Sequence, residues 1–326
     1  MTPVIGAALV GLFAITLYAV FGGADFGGGV WDLLATGPRK QDQRTAITHA
    51  IGPVWEANHV WVIFAIVVLF TCFPPAFSDI ATGLNAPLSF ALVGIVMRGA
   101  AFVFRNHTDE APRFAHFWTV IFGVASLLAP FWLGDAVGAL ATGDYKWTSP
   151  FAISVGVFAI VVCAQIAAVF LVNEVNDEEE LRRDFRRRAV RATFAVWIVG
   201  TIPGLIAKAS EPRLFAALLT PTAFFAIGVA VVLGLGVASA LQRHWNTLAR
   251  ICVGLEALAI LVGWFGAQAP ALVPGRFTLS NAASSEPMLV AFLIASGIGA
   301  VFLIPSLIVL FTVFKGPGAK PLSSSH

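Results

Sequence analysis

Apolar residues in this chain neither alternate nor recur on one helical face. They gather in long runs separated by short charged or glycine- and proline-bearing breaks. A period of two would mark half-buried strands, and a 3.6-residue period would mark amphipathic soluble helices. Runs of about 20 apolar residues mark helices that cross a bilayer. The runs and their breaks predict spans at 3–36, 49–73, 79–104, 114–140, 149–173, 190–209, 214–241, 248–267 and 287–314. The predicted fold class is an all-α polytopic membrane protein with about nine transmembrane helices. One transmembrane domain then covers 1–316, and the polar residues 317–326 form a disordered tail. The first run would measure roughly 48 Å as a helix, against about 30 Å of hydrocarbon, so it must tilt or protrude.

Composition agrees with this pattern. Residues are 58% hydrophobic and 12% charged, with a mean hydropathy of +0.85, whereas a soluble domain carries about a quarter charged residues. A net charge of +2 and the lack of a basic stripe with interleaved aromatics exclude a nucleic-acid partner. Cys72, Cys163 and Cys252 lie inside apolar runs without metal spacing and read as buried thiols. No positive residue precedes Arg39, so the first run lacks the basic start of a signal peptide and reads as a retained helix. With the N-terminus outside, fifteen Lys and Arg residues fall in the inner connections and four in the outer ones. The positive-inside rule therefore places the N-terminus outside and the C-terminus in the cytoplasm. Six of the fifteen lie in Asp177–Arg191, where Glu178 and Arg182, and Glu179 and Arg183, have i,i+4 spacing that can extend a helix.

Charges inside spans cost on the order of 2.5–3.5 kcal/mol each on insertion scales, so each requires a reason. Asp25 lies in GGADFGGG of the first span, Glu56 in PVWEANHVW of the second and Arg98 in VMRGAA of the third. At helical rise they sit roughly 16, 10 and 9 Å from the inner face. Asn58 and His59 accompany Glu56, with His59 one turn deeper. An ion-paired pin between helices and a proton path from the cytoplasm both fit this cluster. Several other chemistries do not. The glycines around Asp25 follow an apolar helix and not a strand, so they read as close helix packing and not a phosphate loop. A di-iron site needs a second Glu-x-x-His, and none occurs. Only His59 lies well inside a span without an obvious Met or His partner, which argues against bis-axial haem. Asp135, Gln165, Glu256 and Gln268 read as packing or hydrogen-bonding residues.

The stretches Gly23–Gly29, Pro53–Trp61 and Met97–Gly99 resemble subunit II of the cytochrome bd ubiquinol oxidases, a family that includes cyanide-insensitive members. Gly263–Pro270, Ile304–Leu307 and Val313–Lys315 match the family's closing spans, so the similarity runs through the chain in order. The resemblance implies two four-helix bundles, here 1–140 and 149–267, and a peripheral helix at 287–314. It implies a heterodimer in the bacterial inner membrane with a subunit I that carries haem b, haem d (or b in its place) and the quinol site. This chain would then ligate no cofactor and would not be catalytic alone. The complex would oxidise quinol, reduce dioxygen to water and take its protons from the cytoplasm. The family's proton-path acids match Asp25 and Glu56, the second being Asp in many members. A structural quinone and a small single-helix subunit occur in some members. Two other readings remain at this point. One is a proton-coupled secondary transporter, expected to carry broken helices at corresponding places in its halves. The other is a purely structural assembly subunit.

Overall fold

A computed structural model describes residues 2–51, 55–106, 112–175 and 178–315; the side chains of 55–57, 106, 112, 310, 311 and 313–315 are outside that description. The chain folds as α1 (Pro3–Leu33), α2 (Lys40–Ile51), α3 (Trp55–Cys72), α4 (Pro74–Gly83), α5 (Asn85–Asn106) and α6 (Pro112–Thr142). There follow α7 (Pro150–Glu174), α8 (Glu179–Ser210), α9 (Pro212–Leu218), α10 (Pro221–Gln242), α11 (Asn246–Gln268) and α12 (Glu286–Lys315). Among the described residues, eight of these helices are long and apolar enough to cross a membrane, and Asn58–Cys72 is a shorter apolar helix. The protein is thus all-α and polytopic, as the hydrophobic runs predict. The tail 317–326 lies outside the described residues.

Two runs predicted as single helices are divided. The third begins only after α4 has ended at Gly83, and the seventh divides at Leu219–Thr220 before Pro221 starts α10. Proline is favoured at a first helical position because its missing N–H would have no partner there. A short antiparallel hairpin, β1 (Ala271–Val273) with β2 (Phe277–Thr278), fills the connection before α12. It is too short to leave a periodic trace in the sequence.

The charged segment does continue a helix, for α8 runs unbroken from Glu179. Its pairing differs from the expected i,i+4 set. Arg182 bonds Glu179 at 3.2 Å, an i,i+3 pair, while Glu180 and Asp184 turn towards Arg39 in the α1–α2 connection. The partners are 141 and 145 residues away, so this end of α8 is held by tertiary contact.

Helix α1 sits at the centre, packing against α3, α6, α7, α11 and α12. Its glycines explain how. A Cβ on Gly27 would lie 1.9 Å from the Cys163 carbonyl oxygen of α7, and one on Gly28 would lie 2.6 Å from Ile51 of α2. Without side chains there, the backbones meet directly. The indole of Trp31 locks the same contact, donating to the Ala164 carbonyl at 2.7 Å. The helix continues through GGADFGGG without interruption, so these glycines allow close packing without breaking α1, as the sequence reading expects. At the other extreme, α12 touches α1 and α3 near its start, through Leu289 and Phe292, and leaves its later residues exposed.

Candidate functional site

Helical repetition places Tyr18, Asp25 and Asp32 on one face of α1, because residues seven apart complete nearly two turns. Each step rises about 10.5 Å, so the three span about two-thirds of a bilayer core. All three side chains are buried. On α5, Arg98 and Arg105 have the same spacing. The two sets meet in register: Arg98 Nη2 lies 2.7 Å from Asp25 Oδ1, and Arg105 Nη1 lies 3.3 Å from Asp32 Oδ2.

Arg98 is 1% exposed, and its surroundings match its planar fork of donors. Nη2 also donates to the Asp25 carbonyl at 3.1 Å, and Nε donates to Ser126 Oγ at 3.2 Å. Ser126 in turn donates to the Phe122 carbonyl one turn earlier on α6. The Phe122 ring lies 4.9 Å from the guanidinium carbon of Arg98 and 4.1 Å from that of Arg105, so it receives cation–π attraction from both. Asp25 Oδ2 is buried and accepts no hydrogen bond among the described residues.

The lower rung opens towards the arginine-rich end. Asp32 is fully buried, but Arg44 of α2 reaches it with Nε 3.9 Å from Oδ2 and is itself partly exposed. Arg105 donates to Thr48 of α2 at 2.8 Å. Helix α2 therefore closes the end of the ladder with polar side chains while burying Gln43, Ile47 and Ile51 beneath it. At the upper rung, the Tyr18 hydroxyl is buried and makes no hydrogen bond among the described residues. The His59 ring lies 6.0 Å from both Tyr18 and Phe26, and Asn58 donates to the Phe21 carbonyl at 3.3 Å.

Of the residues singled out from sequence, Asp25, Arg98, Asn58 and His59 thus gather around the middle of α1. Glu56 falls in the first turn of α3, and its side chain lies outside the described residues. A separate polar group joins α7, α8 and α11, where Gln165 donates to Glu256 at 2.8 Å and lies 3.3 Å from Thr193. No cation pairs with Glu256 among the described residues. Asp135, expected to hydrogen-bond, is fully buried with neither carboxylate oxygen bonded among them. Nor do the described residues include three or more His, Cys, Asp or Glu grouped to hold a metal ion.

Residues 2–314 match the family described as cytochrome bd terminal oxidase subunit II. The chain belongs to that family. Among curated relatives, cytochrome bd ubiquinol oxidase subunit 2 of Bacillus subtilis (strain 168) is 27% identical over 168 residues, 47% of this chain and 48% of that one. Cytochrome bd-I ubiquinol oxidase subunit 2 of Escherichia coli (strain K12) is 25% identical over 225 residues, 62% and 58% of the two chains. The matches therefore span about half the length of the first relative and under three-fifths of the second. The fold is also that of a chain in the bd oxidase from Geobacillus thermodenitrificans, with a TM-score of 0.75 over 97% of this chain and 99% of that one at 21% identity.

Within this subunit II chain, sequence reasoning missed Asp32, Arg105, Ser126 and Tyr18. Asp32 and Arg105 stand near span ends, where a charge is cheap, and Arg105 is one of the fifteen basic residues that the sequence assigns to the inner connections. The signal that could have found them is the repeated seven-residue spacing, Asp25 to Asp32 and Arg98 to Arg105.

Proposed function

We propose that the chain is the non-haem subunit of a bd-type quinol:dioxygen oxidoreductase, conducting protons towards a haem-bearing subunit I. On this reading it lies in the bacterial inner membrane with the N-terminus outside and the arginine-rich end in the cytoplasm. Residues 1–140 and 149–267 form two bundles, with 287–314 at the periphery. Haem b and haem d (or b) in subunit I supply electron transfer and dioxygen reduction. The His59 ring packs against Tyr18 and Phe26, and on this reading haem ligation belongs to subunit I.

The observation that carries the proposal is the stripe of Tyr18, Asp25 and Asp32 on one helix face, with its lower rung beside partly exposed Arg44. Buried carboxyl groups are expensive in a membrane and are retained where they do work. Arg98 and Arg105 hold the two aspartates in place, and Asp25 Oδ2 remains available to a proton or a water. On the same reading Glu56 of α3, which matches the family's second acid, is a further carboxyl of the path. An unbroken α1 also weighs against the transporter reading, which calls for interrupted helices.

One observation favours the assembly pin as a second reading. Arg98 reaches Asp25 Oδ1, the Asp25 carbonyl and Ser126 at once, a cross-link between three helices. Asp25→Asn, Asp32→Asn and Glu56→Gln in the co-expressed complex distinguish the two. The proton path requires normal haem content with quinol oxidase turnover slowed roughly tenfold or more. Full turnover in assembled Asp25→Asn and Asp32→Asn complexes would overturn it, and loss of assembled complex would support the pin.

A further inference from the structure

A cavity of about 250 Å³ opens where the α1–α2 connection meets α8, and Arg39, Arg187, Arg188 and Arg191 line it with Asp184 as the sole acid. Arg39 is committed, its guanidinium bonding both Asp184 and Glu180. Arg188 gives one nitrogen to Gln43 at 2.6 Å, while its Nη1 is buried and bonds nothing among the described residues. Neither Arg187 nor Arg191 forms an ion pair among them. Four guanidinium groups thus share one carboxylate on this concavity, and that carboxylate is bonded to Arg39, although like charges one turn apart repel.

What continues from this cavity along α8 identifies the occupant. Arg187 and Arg191 are followed on the same helix face by Phe194, Ile198 and Leu205, all exposed. A cationic pocket running into an exposed apolar stripe has the form of a lipid site, with a phosphate at one end and an acyl chain along the other. We propose that this cavity binds the phosphate of an anionic phospholipid whose acyl chain lies along Phe194, Ile198 and Leu205. A free phosphate would use the arginines and leave the apolar stripe unexplained. The inference depends on α8 spanning a membrane, and its readout, lipid retention, is separate from oxidase turnover.

Native mass spectrometry of the purified complex tests it, after exchange into detergent with equal phosphatidylglycerol and phosphatidylcholine. The wild-type complex should retain phosphatidylglycerol selectively. Arg187→Gln/Arg191→Gln should lose that retention by more than about tenfold, and each single variant by about fivefold, since a basic residue near anionic lipid contributes about that much. The single variants carry the test if the double variant does not assemble. Retention equal to wild type in either single variant would overturn the proposal. Complete displacement of the lipid by inorganic phosphate at matched ionic strength would overturn the lipid assignment and leave a free-anion site.

Discussion

Gly29 faces Ser126 across the α1–α6 contact, and exchanging the sizes of these residues tests whether that contact sets the position of Arg98. A Cβ on Gly29 would fall 2.0 Å from Ser126 Oγ and 2.3 Å from Ser126 Cβ. Carbon atoms pack at about 3.5–4.0 Å, so Gly29→Ala must push the helices apart by about 1 Å or more. Overpacking of that kind costs about 1–3 kcal/mol. Moving Ser126 also weakens the bond it accepts from Arg98, a further 1 kcal/mol or so. Alanine returns about 1 kcal/mol of helix propensity, leaving a net loss near 2 kcal/mol. Ser126→Gly removes both clashing atoms, so Gly29→Ala/Ser126→Gly should be no less stable than Ser126→Gly alone. Only Phe122, 3.3 Å from the added Cβ, must then give slightly. The free cysteines, of which Cys72 and Cys252 are buried, allow a thiol-reactive dye to report thermal unfolding in detergent. The expected order of Tm is wild type, then Ser126→Gly and the double variant together, then Gly29→Ala. Strictly additive losses, or a Gly29→Ala protein melting with the wild type, would refute the reasoning.

Arg98→Met should destabilise the protein by about 3–5 kcal/mol by stranding a buried carboxylate, and Arg98→Met/Asp25→Asn should recover much of it; denaturation midpoints of the two variants measure this. Trp31→Phe leaves the Ala164 carbonyl without its indole donor and should cost about 1 kcal/mol, read as a lower Tm. Tyr145 donates to Asp79 at 2.5 Å, and Arg276 bonds the same carboxylate at 2.9 Å, so Tyr145→Phe should speed proteolysis of the hairpin region. Burial pushes the Asp144 carboxyl up, but bonds from Lys146 and Thr142 outweigh it and hold the pKa at about 2. Being depressed in the fold, it contributes stability above the ordinary carboxylate range that is lost as pH falls through about 2. Because the group is exposed, Asp144→Asn should flatten that acid limb by no more than about 1 kcal/mol, measured as Tm against pH.

The sequence revealed the spans because membrane burial demands long apolar runs whatever the helices touch. Asp25 and Arg98 could be read for the same reason, each being costly in mid-span. Asp32 and Arg105 gave no such warning near the ends, and only their register with the upper pair identifies them. The Arg39–Asp184 contact joins residues 145 apart in sequence, and no local pattern encodes it. Likewise, the charges of Asp177–Arg191 predicted helix and misassigned its partners, since spacing along one helix is silent about a neighbouring loop. The glycines of α1 read from sequence as close helix packing, but the helices they meet, α2, α6 and α7, are set by tertiary contact alone.

The ladder also bears on how the protein is made. Asp25 leaves the ribosome 73 residues ahead of Arg98, which at about 5–20 residues per second is an interval of about 4–15 s. Its glycines are equally premature, shaped for an α7 that has yet to be translated. During biogenesis the first helix must wait with its acid unpaired. Only the arrival of the third span supplies the arginine, which makes closure of the arginine–aspartate pair a checkpoint in insertion.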